Sequence, residues 1–127
     1  MNIPVKELTT GEIADYKFED GILISYSKSP KRTIENITRN IALVKQITDG
    51  RKVPLLIYLS NSPMPDKATR GFSAQQLPNV YTAMAMVSKS GLGKFIMNVL
   101  FSLKQPPIPM KNFTDDKEAL EWLKKFL

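Results

Sequence analysis

Over the first third of the chain the apolar residues change their period twice. Ala14, Tyr16 and Phe18 alternate with Asp15 and Lys17, Asp20-Gly21 interrupts, and Ile22 to Tyr26 then runs largely apolar. Period-two alternation builds strands and Asp-Gly supplies the positive φ of a tight turn, so this stretch predicts a β-hairpin. Ser29-Pro30 stops the second strand. From Lys31 onward the apolar positions are Ile34, Ile37, Ile41, Val44 and Ile47, steps of three and four that lay one stripe along a helix ended by Gly50. Val53 to Leu59 is a continuous apolar run with Pro54 near its start, the pattern of a strand covered on both faces.

Ser60 to Pro65 is rich in turn formers and predicts a loop. Asp66 to Pro78 predicts a weak or broken helix, because Gly71 and Pro78 interrupt it. Tyr81 to Val87 predicts a second buried strand. After Ser88-Lys89-Ser90-Gly91, the spacing of Leu92, Phe95, Ile96, Val99, Leu100 and Leu103 predicts a helix with those six residues buried. Pro106, Pro107 and Pro109 precede Ile108 to Phe113, a short edge strand. Thr114 then caps a last helix with an acidic start (Asp115, Asp116, Glu118) and a basic end (Lys124, Lys125). Its stripe is Leu120, Leu123 and Leu127, with Trp122 expected on the rim of the sheet beside Phe126. The order β-β-α-β-α-β-α-β-α predicts an α/β domain with right-handed crossovers, a mixed sheet of about five strands and about four helices. No internal repeat or linker divides it, so residues 1–127 read as a single domain in which residues 1–10 form a polar N-terminal extension.

Composition narrows the chemistry more than the fold. The 127 residues contain no Cys and no His, which removes thiol nucleophiles, Ser-His and Cys-His arrangements and metal sites built on imidazole or thiolate. The acidic pairs Glu19-Asp20 and Asp115-Asp116 sit where turn and helix-start chemistry already explains them. The reading is therefore a non-enzyme without metal or cofactor. Met1 to Thr10 lacks the basic-then-apolar order of an export signal, and no apolar run approaches the roughly 20 residues of a membrane span, so the expected location is cytoplasmic.

The net charge of +6 is uneven. Lys28, Lys31, Arg32, Arg39, Lys45, Arg51 and Lys52 crowd one stretch and read as a solvated basic helix face. Nucleic-acid stacking would need aromatics among them, and none lies between Tyr26 and Tyr58.

The element order resembles the STAS-like fold of bacterial anti-sigma factor antagonists, which the lipid-binding half of Sec14-like proteins broadly shares. The C-terminal half is similar to a bacterial STAS/Sec14-like family in four features. These are a strand ending in Ser (Val87-Ser88), an apolar helix containing Asn (Asn98-Val99), a Pro-x-Pro-x-basic-x-Phe strand (Pro107 to Phe113) and an Ala-x-x-Trp-Leu helix (Ala119 to Leu123). The likeness covers roughly residues 11–127, and its motifs are packing and turn signals that say little about activity. It implies a non-enzymatic regulatory or protein-interaction module. The Sec14-like branch implies, as the alternative, a small module for lipid or another apolar ligand.

Antagonists of that fold carry a phosphorylatable Ser after a central strand. Here that position corresponds to Ser60-Asn61-Ser62-Pro63, with Lys67 and Arg70 downstream to receive a phosphate. The acidic residue that precedes the family's Ser is absent, Pro63 and Pro65 reshape the loop, and turn formation accounts for the same serines. Ser88, Ser90 and Gly91 open a helix whose amides could attract an anion, but Gly91 and Gly93 lack phosphate-loop spacing before Lys94, and Phe95 stands where Ser or Thr would meet magnesium. Met84, Met86, Met97 and Met110 with Tyr81, Phe95 and Phe101 could line an apolar pocket; ordinary core is the competing account. An edge strand beside apolar surface is compatible with a homodimer.

Overall fold

The computed structural model describes residues 8–28, 30–59, 65–88 and 106–127. The hairpin forms as its pattern dictates. Strands β2 (Ala14–Glu19) and β3 (Ile22–Ser27) pair antiparallel with Glu19 opposite Ile22. The two residues between them, Asp20 and Gly21, have φ of 55° and 82°, the left-handed pair that matches the right-handed twist of the strands.

Helix α1 (Ile34–Ile47) starts at Thr33, whose Oγ1 accepts from the Asn36 amide at 3.0 Å while the Thr33 amide donates to Asn36 Oδ1 at 2.8 Å. This reciprocal box satisfies two end amides that the helix leaves unbonded. At the other end Asp49 and Gly50 turn left-handed, and the Gly50 amide donates back to Lys45 O at 2.8 Å. The chain then enters β4 (Val53–Tyr58).

Helix α2 (Lys67–Val80) corrects the expectation of a broken segment: it runs unbroken for 14 residues with Pro78 inside it. Pro78 lies in the last turn, where its missing N–H removes only the one bond to Ala74 O. The helix is held instead by the burial of Thr69, Ala74, Leu77 and Val80, so tertiary packing overrides weak local propensity.

Strand β5 (Tyr81–Val87) follows α2 without a loop, and β6 (Met110–Phe113) precedes the closing helix α3 (Asp116–Leu123) and a 3-10 turn at Lys124–Phe126. The predicted helix from Leu92 to Leu103 lies outside the described residues. A further strand, β1 (Thr9–Thr10), pairs antiparallel with β2 in the segment read as a polar extension. Gly11 then packs so tightly that a Cβ there would lie 2.5 Å from Ala14 O and 2.9 Å from Leu43 Cδ2.

The six strands form one sheet in chain order, antiparallel through β1, β2 and β3 and parallel from β3 to β6. The fold is therefore mixed α/β, with six strands rather than about five and three α-helices among the described residues. Pro54 is buried in the central strand, where it cannot donate to the ladder. The sheet absorbs this with an irregularity: Val53 faces Tyr81 and Pro54 faces Ala83, leaving Thr82 over.

The sheet separates two apolar layers. One gathers Leu23, Val44, Leu55, Leu77, Val80, Met84 and Met86 beneath α1 and α2. The other gathers Ile22, Ile24, Leu56, Ala83, Ala85, Phe113, Ala119 and Leu123 beneath α3. Among the described residues no helix is long and apolar enough to cross a membrane.

Candidate functional site

In a parallel α/β sheet the loops at the carboxyl ends of the strands collect the side chains that meet ligands and partners. Here β3, β4, β5 and β6 all end at one edge, and α1, α2 and α3 begin near it. Lys67 opens α2 and is exposed, while Arg70 lies one turn on, half-buried, with Nη1 donating to Pro65 O at 2.8 Å. Asp66 caps the helix by accepting from the Thr69 amide at 2.8 Å. That amide bond holds its carboxyl below the usual carboxylate range, and the nearby cations Lys31 and Arg70 act in the same direction. The structure thus adds exposed Lys31 to the predicted pair Lys67 and Arg70. Ser60 and Ser62 lie outside the described residues.

Ser88 is buried one residue past β5, where its amide donates to Phe113 O at 3.2 Å and extends the ladder to β6. Ser90 and Gly91 lie outside the described residues. Met84, Met86 and Tyr81 are part of the closed core under α1 and α2, and Met110 packs against it. Met97, Phe95 and Phe101 lie outside the described residues.

Several residues of the basic stretch are bound within the fold. The Arg32 guanidinium donates to Lys28 O (2.7 Å), Pro30 O (3.1 Å), Ile13 O (3.2 Å) and Ser27 Oγ (2.7 Å), tying the approach to α1 to the hairpin. Arg39 grips Glu12 through two bonds of 2.9 Å, and Lys28 pairs with Asp15 at 2.9 Å. The solvated basic helix face expected from composition is therefore interrupted by these internal attachments.

Two groupings escaped the sequence reading. In the α1/α2 layer the buried Tyr16 hydroxyl takes a 2.6 Å bond from Asn40 Nδ2 and is also bonded to Ser25 and Tyr81. Desolvation raises both phenols above their ordinary value. On the opposite face, strand register sets Asp15, Tyr26, Tyr58, Val87 and Phe113 in one row. Tyr26 and Tyr58 stack with ring centres 5.1 Å apart and planes 5° apart. The Tyr58 hydroxyl donates to Asp116 Oδ2 at 2.8 Å, and burial, together with that carboxylate, pushes the phenol up. Trp122 is half-buried between Phe113 and Phe126, at 5.8 Å and 5.0 Å, on the rim expected for it. The apolar run Ile22 to Tyr26 placed Tyr26 near a strand end, but only pairing register could bring it beside Tyr58.

Among the described residues no group of three or more acidic side chains is placed to hold a metal ion. The arrangement offers charged and aromatic contact surface.

Residues 16–127 match the family described as Domain of unknown function (DUF7793), and the chain belongs to that family. No curated protein matches it. Among solved structures it is similar to an uncharacterized protein of the DUF3478 family with a SpoIIAA-like fold from Shewanella loihica PV-4. That likeness has a TM-score of 0.62 at 16% identity and covers 96% of this chain and 99% of the other. The fold of the chain is SpoIIAA-like, that is, STAS-like.

Proposed function

We propose that this DUF7793 member is a non-enzymatic regulatory module that binds a protein partner at the carboxyl edge of its sheet, beside α2. The observation that carries the reading is the gathering of Lys31, Lys67 and Arg70 around the start of α2, which follows Ser60 and Ser62 in sequence. The STAS-like architecture supports an interaction role, and a chain without Cys or His has few nucleophiles and bases to offer catalysis. Lysine and arginine at this edge suit an acidic or phosphorylated contact, and a phosphate on Ser60 or Ser62 would change the local charge by roughly −1.5 to −2.

Affinity capture with the full chain, stabilised by crosslinking, tests this. A specific partner should be retained by the native chain and lost by the double variant Lys67→Glu, Arg70→Glu. Glu at Ser60 or Ser62 should alter its affinity while Ala leaves the fold intact. Equal affinity of Ser, Ala and Glu forms would dispose of the switch, and retention by the double variant would dispose of the edge.

A further inference from the structure

We propose that the stacked Tyr26 and Tyr58 rings, with the carboxylates of Asp115, Asp116 and Glu118, form a second docking surface that takes an arginine-bearing segment of a protein partner. The proposal rests on the reading of the chain as an interaction module and concerns the sheet face opposite α1 and α2.

The placement follows from how that face is covered. Helix α3 lies chiefly over β5, with β4 and β6 beside it, so β3 is two strands from the centre of the cover. Tyr26 on β3 and Tyr58 on β4 accordingly remain half-exposed. They are nonetheless held by contacts: the rings lie 5.1 Å apart at 5°, and the Tyr58 hydroxyl donates to Asp116 Oδ2 at 2.8 Å. An aromatic surface already held in one geometry loses little further freedom on binding.

Charge decides what the surface fits. Asp115, Asp116 and Glu118 are exposed in the first turn of α3 or just before it and make no salt bridge among the described residues. Two cations that flank the row are committed. Lys28 pairs with Asp15 beside Tyr26, and Lys111 lies 5.4 Å from the centre of the Phe113 ring. The row therefore already shows a cation over one aromatic ring, while among the described residues no cation is seated over the tyrosine pair. On a chain of net charge +6, a cationic segment is repelled by most of the surface and settles where carboxylates gather. A guanidinium suits the place better than an ammonium, because its plane stacks on a tyrosine ring while its edge meets a carboxylate with two donors.

The probe is a short peptide alternating arginine and serine, titrated at low salt into the full chain and followed by NMR shifts of amides and tyrosine rings. Matched peptides carry lysine or the uncharged citrulline in place of arginine. The expected result is shifts centred on Tyr26, Tyr58 and Asp116, with affinity falling from arginine to lysine to citrulline. Tyr26→Ala should weaken the arginine peptide by about fivefold. The double variant Asp115→Asn, Glu118→Gln alters exposed groups and keeps an oxygen at position 115 to accept the Lys117 amide that Asp115 caps at 3.0 Å, so it should keep the fold while weakening binding and flattening its salt dependence. If Tyr26→Ala lowers the melting temperature sharply, this charge variant decides. Equal binding of the citrulline peptide, shifts spread over other acidic sites, or unchanged affinity in the charge variant would each overturn the proposal. Lys67→Glu, Arg70→Glu should leave the arginine peptide bound, which keeps a failure here separate from a failure at the α2 edge.

Discussion

The two faces of the sheet solve the same burial problem differently. Beneath α1 and α2, each 14 residues long, the cover is wide enough to enclose polar atoms, and the Tyr16 hydroxyl bonds to Asn40, Ser25 and Tyr81 there. Beneath α3, only eight residues long, the cover is narrow, and rings at its margin reach solvent. Enclosed polar groups must find partners inside the protein, which fixes one packing. Marginal aromatics need no such partners and can present contact surface. The widely covered face thus fixes the packing, and the narrowly covered one leaves aromatic surface in contact with solvent.

The largest test of this contrast removes a fully buried leucine from each layer. Leu23→Ala beneath α1 and α2, and Leu123→Ala in α3, both start from 0% exposure and should each cost about 2–5 kcal/mol in urea unfolding. A negligible loss for Leu123→Ala would mean that α3 is not a structural layer. Trp122→Ala should cost less, about 2 kcal/mol, because the half-exposed indole falls below the 3–5 kcal/mol range of buried large aromatics.

Removing single hydroxyls sharpens the comparison. Tyr16→Phe leaves the Asn40 amide without its acceptor in a closed layer and should cost about 1–3 kcal/mol. Tyr58→Phe keeps the stack and gives up a bond at the surface, so it should cost about 1 kcal/mol or less. A larger loss for Tyr58→Phe would reverse the assignment of the two faces.

The phenols also set a pH dependence. Tyr16 and Tyr81 are raised in the folded state above the ordinary value of 10.0. Their contribution is fully present below the unfolded value and is lost as pH rises from there toward the folded values, because the unfolded chain ionises first. Thermal melts from pH 8 upward should show this alkaline loss, and Tyr81→Phe should make it shallower. The smallest effect belongs to the exposed pair Arg39 and Glu12, where Glu12→Gln should barely move the melting temperature and should lose even that effect in high salt.

Much of the fold was legible because local sequence chemistry and tertiary placement agree. Asp20-Gly21 requires left-handed backbone wherever it stands, the stripe from Ile34 to Ile47 suits only a helix, and the run Val53 to Leu59 can satisfy its pattern only inside a sheet. Element types, the α/β class and the STAS-like resemblance follow from such near-neighbour constraints. The position of Lys67 and Arg70 near the carboxyl edge of the sheet was also within reach, since they follow a central strand.

Other features depend on contacts between residues far apart in the chain. The continuity of α2 through Pro78 comes from burying Thr69, Ala74, Leu77 and Val80, which outweighs the local signal to break. The pairing of Thr9–Thr10 with β2 depends on an edge that Tyr16 and Asp15 provide. Arg32 looked like one cation among seven until its partners proved to be carbonyls and a hydroxyl of the hairpin and the segment leading to α1. The Tyr26 and Tyr58 stack exists because parallel register aligns two strands whose tyrosines are 32 positions apart, and Asp116 reaches it from a helix nearly twice as distant in sequence. Periodicity records which way a side chain faces along its own element; only packing decides what stands opposite it, because that choice is made by the whole sheet at once.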